Sequence, residues 1–218
     1  MTDAEAIAAN VAAVRQRIAD AAQRAGRDPR EITLVGASKT MPADACAAAV
    51  TAGCSHLGEN RAQDLLAKAP ELAGGRWIPV WHFIGQLQRN KVRQLAPWVH
   101  VWESVDRAEL ADEIARRAPG AAVFVEVNIA GEQQKGGCAR GDLPELVDHV
   151  RDLGLDLRGL MTVPPFGSDP RPHFQALRTL VDTYALPECS MGMTDDFELA
   201  IEAGATTVRV GRAIFGAR

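Results

Sequence analysis

Short apolar runs alternate along the chain with longer segments in which apolar residues recur every three or four positions. The short runs predict buried strands, and the longer periodic segments predict amphipathic helices. The strands are predicted at 32–35, 55–57, 81–84, 99–102, 122–127, 157–163, 189–192 and 207–210. The helices between them are predicted at 43–51, 61–69, 90–95, 106–117, 143–153, 173–184 and 194–203.

An additional amphipathic helix is predicted before the first strand. Its apolar positions are spaced by four, three and four residues: Ile7, Val11, Val14 and Ile18. Gly26 and the Asp28-Pro29 turn end this segment. We interpret residues 1–26 as a helix that packs against the rest of the fold and carries no chemistry.

About eight strands alternating with helices, without a long linker or a change in composition, are the pattern of a single (β/α)8 barrel. A doubly wound open sheet is the alternative, but no GxGxxG motif opens the first strand-to-helix turn. We therefore predict one α/β domain over residues 1–218, a TIM barrel with an extra N-terminal helix. A chain of 218 residues is short for this fold, which usually takes about 250, so the loops should be short.

Composition excludes several classes of function. A net charge of -4 and the lack of a basic stripe argue against nucleic acid as a partner. No apolar run approaches the ~20 residues of a membrane span, and the acidic N-terminus does not resemble a signal peptide. The four cysteines show no CxxC spacing, which predicts free thiols rather than disulfides or a metal site. We predict a cytoplasmic protein.

Lys39 is the first candidate for chemistry. It is one of only four lysines, with Lys68 in a polar-faced helical run, Lys91 at a helix start and Lys135 in a glycine-flanked loop. Only Lys39 follows an apolar strand at its C-terminal end, where α/β barrels place their active sites. An amine partly withdrawn from water there can attack a carbonyl carbon. The alternative is a solvated loop lysine paired with an acid.

The loops after the last two strands are candidates for binding a phosphate. In this fold these loops commonly bind phosphate together with a short extra helix. Here they are residues 190–194 and 211–213, whose glycines let backbone N–H groups approach an anion, with hydroxyls from Ser190 and Thr194. Asp195 and Asp196 count against this reading. The alternative is that both glycines only shape tight turns.

Arg209 is a lone cation in the apolar strand Val208-Arg209-Val210. Alternation sends it to the face opposite its valine neighbours. If that face lines the barrel, the guanidinium needs a partner there, since an unpaired buried charge is very costly; if not, it packs against a helix. An amine, a phosphate cradle and an arginine at one end of a barrel together suggest pyridoxal 5'-phosphate.

At these positions the chain resembles the pyridoxal-phosphate homeostasis proteins, relatives of the N-terminal barrel of alanine racemase. The resemblance covers essentially the whole chain and rests on long motifs in the same order: VGASKT (35–40), LGENR (57–61), HFIGQLQRNK (82–91), SMGMTD (190–195) and VRVGRAIFGAR (208–218). It implies that Lys39 holds the cofactor as a Schiff base, an internal aldimine, and that Arg209 faces the pyridine nitrogen. The implied cofactor-binding residues are Lys39, Asn60, His82, Ser190, Met191, Gly192, Arg209, Gly211 and Arg212.

The resemblance also implies a monomer that buffers or delivers pyridoxal phosphate in vitamin B6 homeostasis, with apo-forms of its enzymes as possible partners. Arginine stays protonated, so a pyridine nitrogen opposite Arg209 should remain unprotonated and the ring should be a weaker electron sink. The family's racemase relatives take a second acid or base from a tyrosine in another domain, whereas the single tyrosine here, Tyr184, ends a surface helix. A slow racemase, with His82 as a conceivable second base, is the alternative function, and a Schiff-base aldolase is a third.

Three departures from the family pattern affect details. Met41 stands where the family often has a second lysine, and Arg212 stands where threonine or serine is common. The family commonly carries a basic extension after Phe-Gly-Ala-Arg, and this sequence ends at Arg218. Lys135 is the remaining candidate for a second amine, although we expect it to be a solvated loop residue.

Overall fold

Eight parallel strands pair in chain order, and β8 pairs with β1 to close a barrel. The computed structural model describes residues 3–75, 78–132 and 134–216. The strands are β1 Thr33–Ala37, β2 His56–Glu59, β3 Val80–Phe83, β4 Val101–Val105, β5 Ala122–Glu126, β6 Asp156–Met161, β7 Glu188–Ser190 and β8 Thr207–Val210. This arrangement confirms the predicted (β/α)8 barrel.

Helices follow the strands and form the outer layer, except that α1 precedes the first strand as predicted. The helices are α1 Asp3–Arg24, α2 Ala43–Thr51, α3 Ala62–Ala73, α4 Val92–Leu95, α5 Ala108–Arg117, α6 Leu143–Asp152, α7 Arg171–Thr183, α8 Phe197–Glu202 and α9 Arg212–Phe215. Two 3-10 turns, Pro29–Glu31 and Arg89–Lys91, precede β1 and α4. Among the described residues, no helix has the length and apolar character needed to cross a bilayer.

Most predicted boundaries lie within three residues of the observed ones; the exception is α3, which continues through Pro70 to Ala73 although the prediction ends at 69. Several of the smaller differences have local causes. The strand predicted at 99–102 begins later because the Val99 N–H donates to the Leu95 carbonyl (3.0 Å) and closes the end of α4. The strand predicted at 189–192 ends at Ser190, since Gly192 turns the chain with a φ of 92°. The helix predicted from 194 begins at Phe197, after a turn in which the Asp196 N–H bonds to the Met193 carbonyl.

Each strand separates two environments. The main hydrophobic core lies between the strands and the helices, and α1 adds its predicted stripe of Ile7, Val11, Val14 and Ile18 to it. Residues opposite each other in a parallel pair point to the same face of the sheet. Buried Val35, which is outside that core, pairs with Arg209, and Met161 pairs with both Glu126 and Ser190. These residues therefore line the barrel interior, below the mouth where the strands end.

Candidate functional site

Lys39 lies in a tight turn where the chain leaves β1. The Met41 N–H donates to the Ser38 carbonyl oxygen across this turn (3.0 Å). Thr40 has a φ of 66°, in the left-handed region that β-branched residues disfavour. Lys39 is exposed, although the sequence predicts an amine partly withdrawn from water. The reason is that β1 ends at Ala37, so Lys39 lies beyond the strand, at the mouth.

Arg209 points into the barrel and is only 4% exposed. Its Nη1 donates to Ser190 Oγ (2.5 Å), and its Nη2 donates to the Thr162 carbonyl oxygen (2.8 Å). Nη1 also lies 3.7 Å from Glu103 Oε2, which accepts a hydrogen bond from Ser190 Oγ (2.6 Å). Glu103 is therefore the charged partner that a buried guanidinium requires.

The same network extends across the interior to β2 through two histidines. His82 Nδ1 lies 2.5 Å from Glu103 Oε1, and His82 Nε2 lies 2.9 Å from His56 Nδ1. Burial tends to raise the pKa of Glu103, but the hydrogen bond from His82 and the charges of His82 and Arg209 hold it below its usual value. Burial lowers the pKa of His56 to about 4, and positive charge on His82 adds to the shift. At neutral pH the network contains an ionised Glu103 and a neutral His56.

Glu126 is a second interior carboxyl, at the end of β5. Burial raises its pKa to about 7; the charge of Arg209 opposes this shift, whereas Asp106 and Glu103 add to it. A Cβ placed on Gly136, in the loop after β5, would lie 3.5 Å from Glu126 Oε1. Glu126 therefore gains or loses a proton near neutral pH while it faces the barrel interior.

The two loops predicted to bind phosphate lie side by side. The Gly211 N–H donates to Thr194 Oγ1 (3.3 Å), and the Arg209 N–H donates to the Gly192 carbonyl oxygen (3.0 Å). The exposed Arg212 guanidinium forms an ion pair with Asp195 of the other loop. The structure thus brings together the loops that the sequence analysis selected, and it pairs the Arg212 side chain with an acid.

Two glycines in these loops have steric reasons to be glycine. Gly192 has a φ of 92°, and a Cβ there would lie 2.5 Å from Ala200 Cβ and 2.9 Å from Phe197 Cα. A Cβ on Gly211 would lie 3.2 Å from the Ala37 carbonyl oxygen of β1. Packing against α8 therefore requires a glycine at position 192 independently of any ligand.

Met191 and Asn60 are placed differently from one another. The Met191 side chain is fully buried in the helix-facing core, and its N–H donates to the Thr207 carbonyl oxygen (3.1 Å). Asn60 follows β2 at the mouth and is half-buried, and its side-chain oxygen is buried without a hydrogen-bond partner in the described part of the chain. Asn60 also borders an open cavity of about 450 Å³ together with Gln86 and Arg107.

Lys68 is the clearest error of the sequence analysis. The sequence predicts a polar helix face for it, but it is 7% exposed and forms an ion pair with the fully buried Glu59 (2.5 Å). The cause is the position of Lys68 on α3, three residues after Leu65 and four before Leu72, which puts it on the buried stripe of the helix. The sequence analysis also missed Glu103 and Glu126, although each is a lone carboxylate in an apolar strand, the same signal that identified Arg209.

Lys135 is less solvated than the sequence analysis expected. Its half-buried amine donates to the Pro164 carbonyl oxygen (2.9 Å) and pairs with Glu132 (2.7 Å), so it joins the loops after β5 and β6. Tyr184 follows α7 directly before β7, which places it at the end of the barrel opposite the mouth.

The cysteines match their prediction. All four are free and buried, and burial raises their thiol pKa values to about 11 or 12. Such thiols are weak nucleophiles at neutral pH, since the thiolate is the reactive form. They therefore contribute to packing and not to the chemistry of the mouth.

Comparisons with known proteins identify close relatives. Residues 2–218 match the family model of the alanine racemase N-terminal domain. The chain is 46% identical to a pyridoxal phosphate homeostasis protein of Pseudomonas aeruginosa, covering 97% of this chain and 96% of the relative. It is 40% identical to the protein of the same name from Escherichia coli, covering 97% of each.

Solved structures with a similar fold include one with bound pyridoxal phosphate and an alanine racemase. PipY of Synechococcus elongatus, solved with pyridoxal phosphate bound, matches with a TM-score of 0.83 and 31% identity, covering 96% of this chain and 100% of that chain. Alanine racemase from Streptomyces coelicolor matches with a TM-score of 0.71 and 21% identity, covering 99% of this chain and 59% of that chain. The second likeness shows the shared barrel fold alone.

Proposed function

Because the chain belongs to the pyridoxal phosphate homeostasis proteins, which share the alanine racemase N-terminal domain, we propose that it binds pyridoxal 5'-phosphate. In this proposal Lys39 holds the cofactor covalently through its aldehyde carbon, and the protein buffers the cofactor or delivers it to apo-enzymes. We further propose that it does so as a monomer in the cytoplasm, and light scattering on an eluting size-exclusion peak tests the oligomeric state.

The observation that carries this proposal is the convergence of three kinds of group at the mouth. Lys39 offers an exposed primary amine after β1, and Arg209 offers a cation inside β8, the strand that pairs with β1. The loops of Gly192 and Gly211 adjoin each other beside Arg209. An aldehyde, a ring nitrogen and a phosphate need an amine, a donor and an anion site, so the donor set fits this cofactor.

Arg209 retains donors for a ligand. A guanidinium has five N–H donors, and the contacts to Ser190 and Thr162 use one from Nη1 and one from Nη2. Glu103 balances the charge of Arg209 within the barrel, so a neutral acceptor such as a pyridine nitrogen suits the remaining donors better than a second anion. Asn60 adds an amide whose buried oxygen has no hydrogen-bond partner among the described residues.

The geometry favours holding the cofactor over rapid turnover of amino acids. When bound, pyridoxal phosphate stabilises negative charge at the Cα of an attached amino acid. Racemisation needs an acid or base on each face of that Cα, and Lys39 supplies one. Tyr184, the single tyrosine, lies at the opposite end of the barrel. We therefore propose at most slow racemisation.

The first experiment is an absorbance spectrum of the purified protein with added pyridoxal phosphate, followed by borohydride reduction and peptide mass mapping. We expect a visible band that reduction removes, with the added mass on Lys39, and no adduct in Lys39→Ala. Lys91→Ala is the matched control and should retain the wild-type adduct. An adduct on Lys135 or Lys68 in the wild type would contradict the assignment of Lys39.

Two assays separate a carrier from an enzyme. A carrier should reactivate an apo-aminotransferase while a phosphatase destroys free pyridoxal phosphate in the same solution. An enzyme should exchange the α-proton of L-alanine steadily in deuterium oxide, as followed by NMR. Protection of the cofactor with negligible exchange supports the proposed function, whereas rapid exchange supports the racemase alternative.

A further inference from the structure

A buried polar cluster lies behind Lys39, on the helix-facing side of β1 and β2. It consists of Ser38, Glu59 and Lys68, which are 0%, 0% and 7% exposed. Lys68 Nζ lies 2.5 Å from Glu59 Oε1 and donates to the Ser38 carbonyl oxygen (2.8 Å). Ser38 Oγ donates to the same Glu59 oxygen (2.7 Å). Strand β2, helix α3 and the segment after β1 therefore meet in one cluster. Ser38, a member of this cluster, directly precedes Lys39 in the chain.

The ion pair is not explained by stability alone. Removing two charges from water costs several kcal/mol per ion, and well-packed apolar residues in their place are often as stable or more stable. Glu59 Oε2 is buried without a hydrogen-bond partner among the residues described, so the pair is incompletely compensated. Burial accordingly raises the pKa of Glu59, although the hydrogen bonds from Lys68 and Ser38 oppose the shift. Packing alone therefore does not explain why two charged side chains are buried here.

The backbone of Ser38 provides that reason. Its carbonyl oxygen accepts from the Lys68 ammonium and also from the Met41 N–H (3.0 Å), the bond that closes the turn around Lys39. Its N–H donates to the Gly58 carbonyl oxygen (3.0 Å). Every polar group of Ser38 is therefore anchored, and the next residue but one, Thr40, is held in its unfavourable left-handed conformation.

We propose that Lys68 and Glu59 are positioning residues for Lys39: the buried ammonium fixes the Ser38 carbonyl, and this fixes the turn that presents the Lys39 amine at the mouth. This inference rests on the proposed function of Lys39. The cluster acts through the backbone and does not touch the ligand. Loss of the cluster should change the rate at which the Lys39 amine reacts and the surroundings of that amine, while the barrel remains folded.

The test removes both charges together, so that neither is left buried alone. The double variant Glu59→Gln/Lys68→Met is mixed with pyridoxal phosphate, and the rise of the visible band is followed by stopped flow. We expect attachment at least about tenfold slower than in the wild type, since a displacement of ~1 Å can cost about a hundredfold. We also expect a displaced pH profile of the band. The control is Arg24→Met/Glu202→Gln, an ion pair of α1 and α8 far from the mouth, which should react at the wild-type rate.

Thr40→Gly separates positioning from general damage. Glycine adopts a left-handed conformation without strain, so a turn with glycine in place of Thr40 depends less on the ammonium. Adding Thr40→Gly to the double variant should recover most of the lost rate. Should the double variant fold poorly, the milder Lys68→Arg, which keeps both charges but replaces the ammonium that binds the Ser38 carbonyl, should slow attachment about threefold, and a wild-type rate would overturn the positioning role.

The outcomes distinguish the two proposals. A wild type that forms no band with pyridoxal phosphate overturns the proposed function of Lys39 itself. A wild type that forms the band, together with a folded double variant of equal rate and pH profile, overturns the positioning role and leaves the proposed function standing. A folded double variant that stays slow after addition of Thr40→Gly also contradicts action through the turn.

Discussion

The interior carboxyl of Glu126 predicts how stability changes with pH. Its pKa is raised from an ordinary value of 4.5 to about 7, chiefly by burial. A raised carboxyl pKa means that the folded state binds more protons than the unfolded chain between these values. The contribution of Glu126 is fully present below pH 4.5 and is lost as pH rises through 7. The shift corresponds to an upper limit of about 3.4 kcal/mol at 1.36 kcal/mol per pKa unit.

The substitution Glu126→Gln removes this titration and keeps the shape of the side chain. The free energy of unfolding of the variant, relative to the wild type, should rise by about 2 kcal/mol between pH 5 and pH 8. This figure is below the upper limit because the residue is only half-buried and part of the titration lies below pH 5. The other buried groups, including Glu103 and His56, titrate in both proteins and largely cancel in the difference.

Urea unfolding of both proteins without cofactor at the two pH values measures this difference. Glu71→Gln, at an exposed position of α3, is the control and should show a difference near zero at both pH values. The reasoning is refuted if Glu126→Gln changes stability equally at pH 5 and pH 8. It is also refuted if the variant loses stability relative to the wild type as pH rises.

Two further predictions concern β7 and the loop after it. Gly192→Ala should lower the free energy of unfolding by about 1–3 kcal/mol in thermal or urea melts, because the new methyl group meets Ala200 and the φ is positive. The control is Gly26→Ala, which also has a positive φ of 66° but open space around it, and it should lower the free energy of unfolding by less. Equal losses in the two variants would contradict the packing argument. Ser190→Ala should weaken binding of pyridoxal phosphate by up to about 1.5–3 kcal/mol, the value of a hydrogen bond to a charged group, as measured by fluorescence titration. The reason is that the Ser190 hydroxyl accepts from Arg209 and donates to Glu103 and so helps to hold the guanidinium in place. Unchanged affinity would show that Arg209 keeps its position without this hydroxyl.

The sequence was sufficient to predict the barrel and the end of the barrel at which the proposed site lies. The alternation of apolar runs with periodic segments predicts eight strands and the helices between them. The C-terminal ends of parallel strands lie at the same end of a barrel, so Lys39 and Arg209 could be assigned to one mouth from the sequence alone. The face of Arg209 could not be chosen, because both faces of a barrel strand are apolar and a single strand does not reveal which one lines the interior. Its partner Glu103 lies on a strand that does not adjoin β8.

The Lys68 cluster shows a different limit. The helical period alone places Lys68 on the buried stripe with Leu65 and Leu72, so its burial could have been predicted. Its partner could not, because the Lys68–Glu59 pair depends on how α3 returns against β2. Ser38 joins them only because β1 and β2 are neighbours in the sheet. Contacts of this kind require the tertiary arrangement and not a pattern within one element.

Side chains point alternately to the two faces along a strand, so neighbouring residues in the motifs 35–40 and 57–61 lie in different environments. In the first motif Ser38 bonds to Glu59 behind the sheet, and the next residue, Lys39, is exposed at the mouth. In the second motif Glu59 pairs with α3, and the next residue, Asn60, borders the open cavity, with its amide oxygen unpartnered among the described residues. One member of each pair thus fixes the backbone, and the other lies at the mouth. Substituting the buried members should therefore change the behaviour of their neighbours at the mouth without removing any group proposed to contact the cofactor.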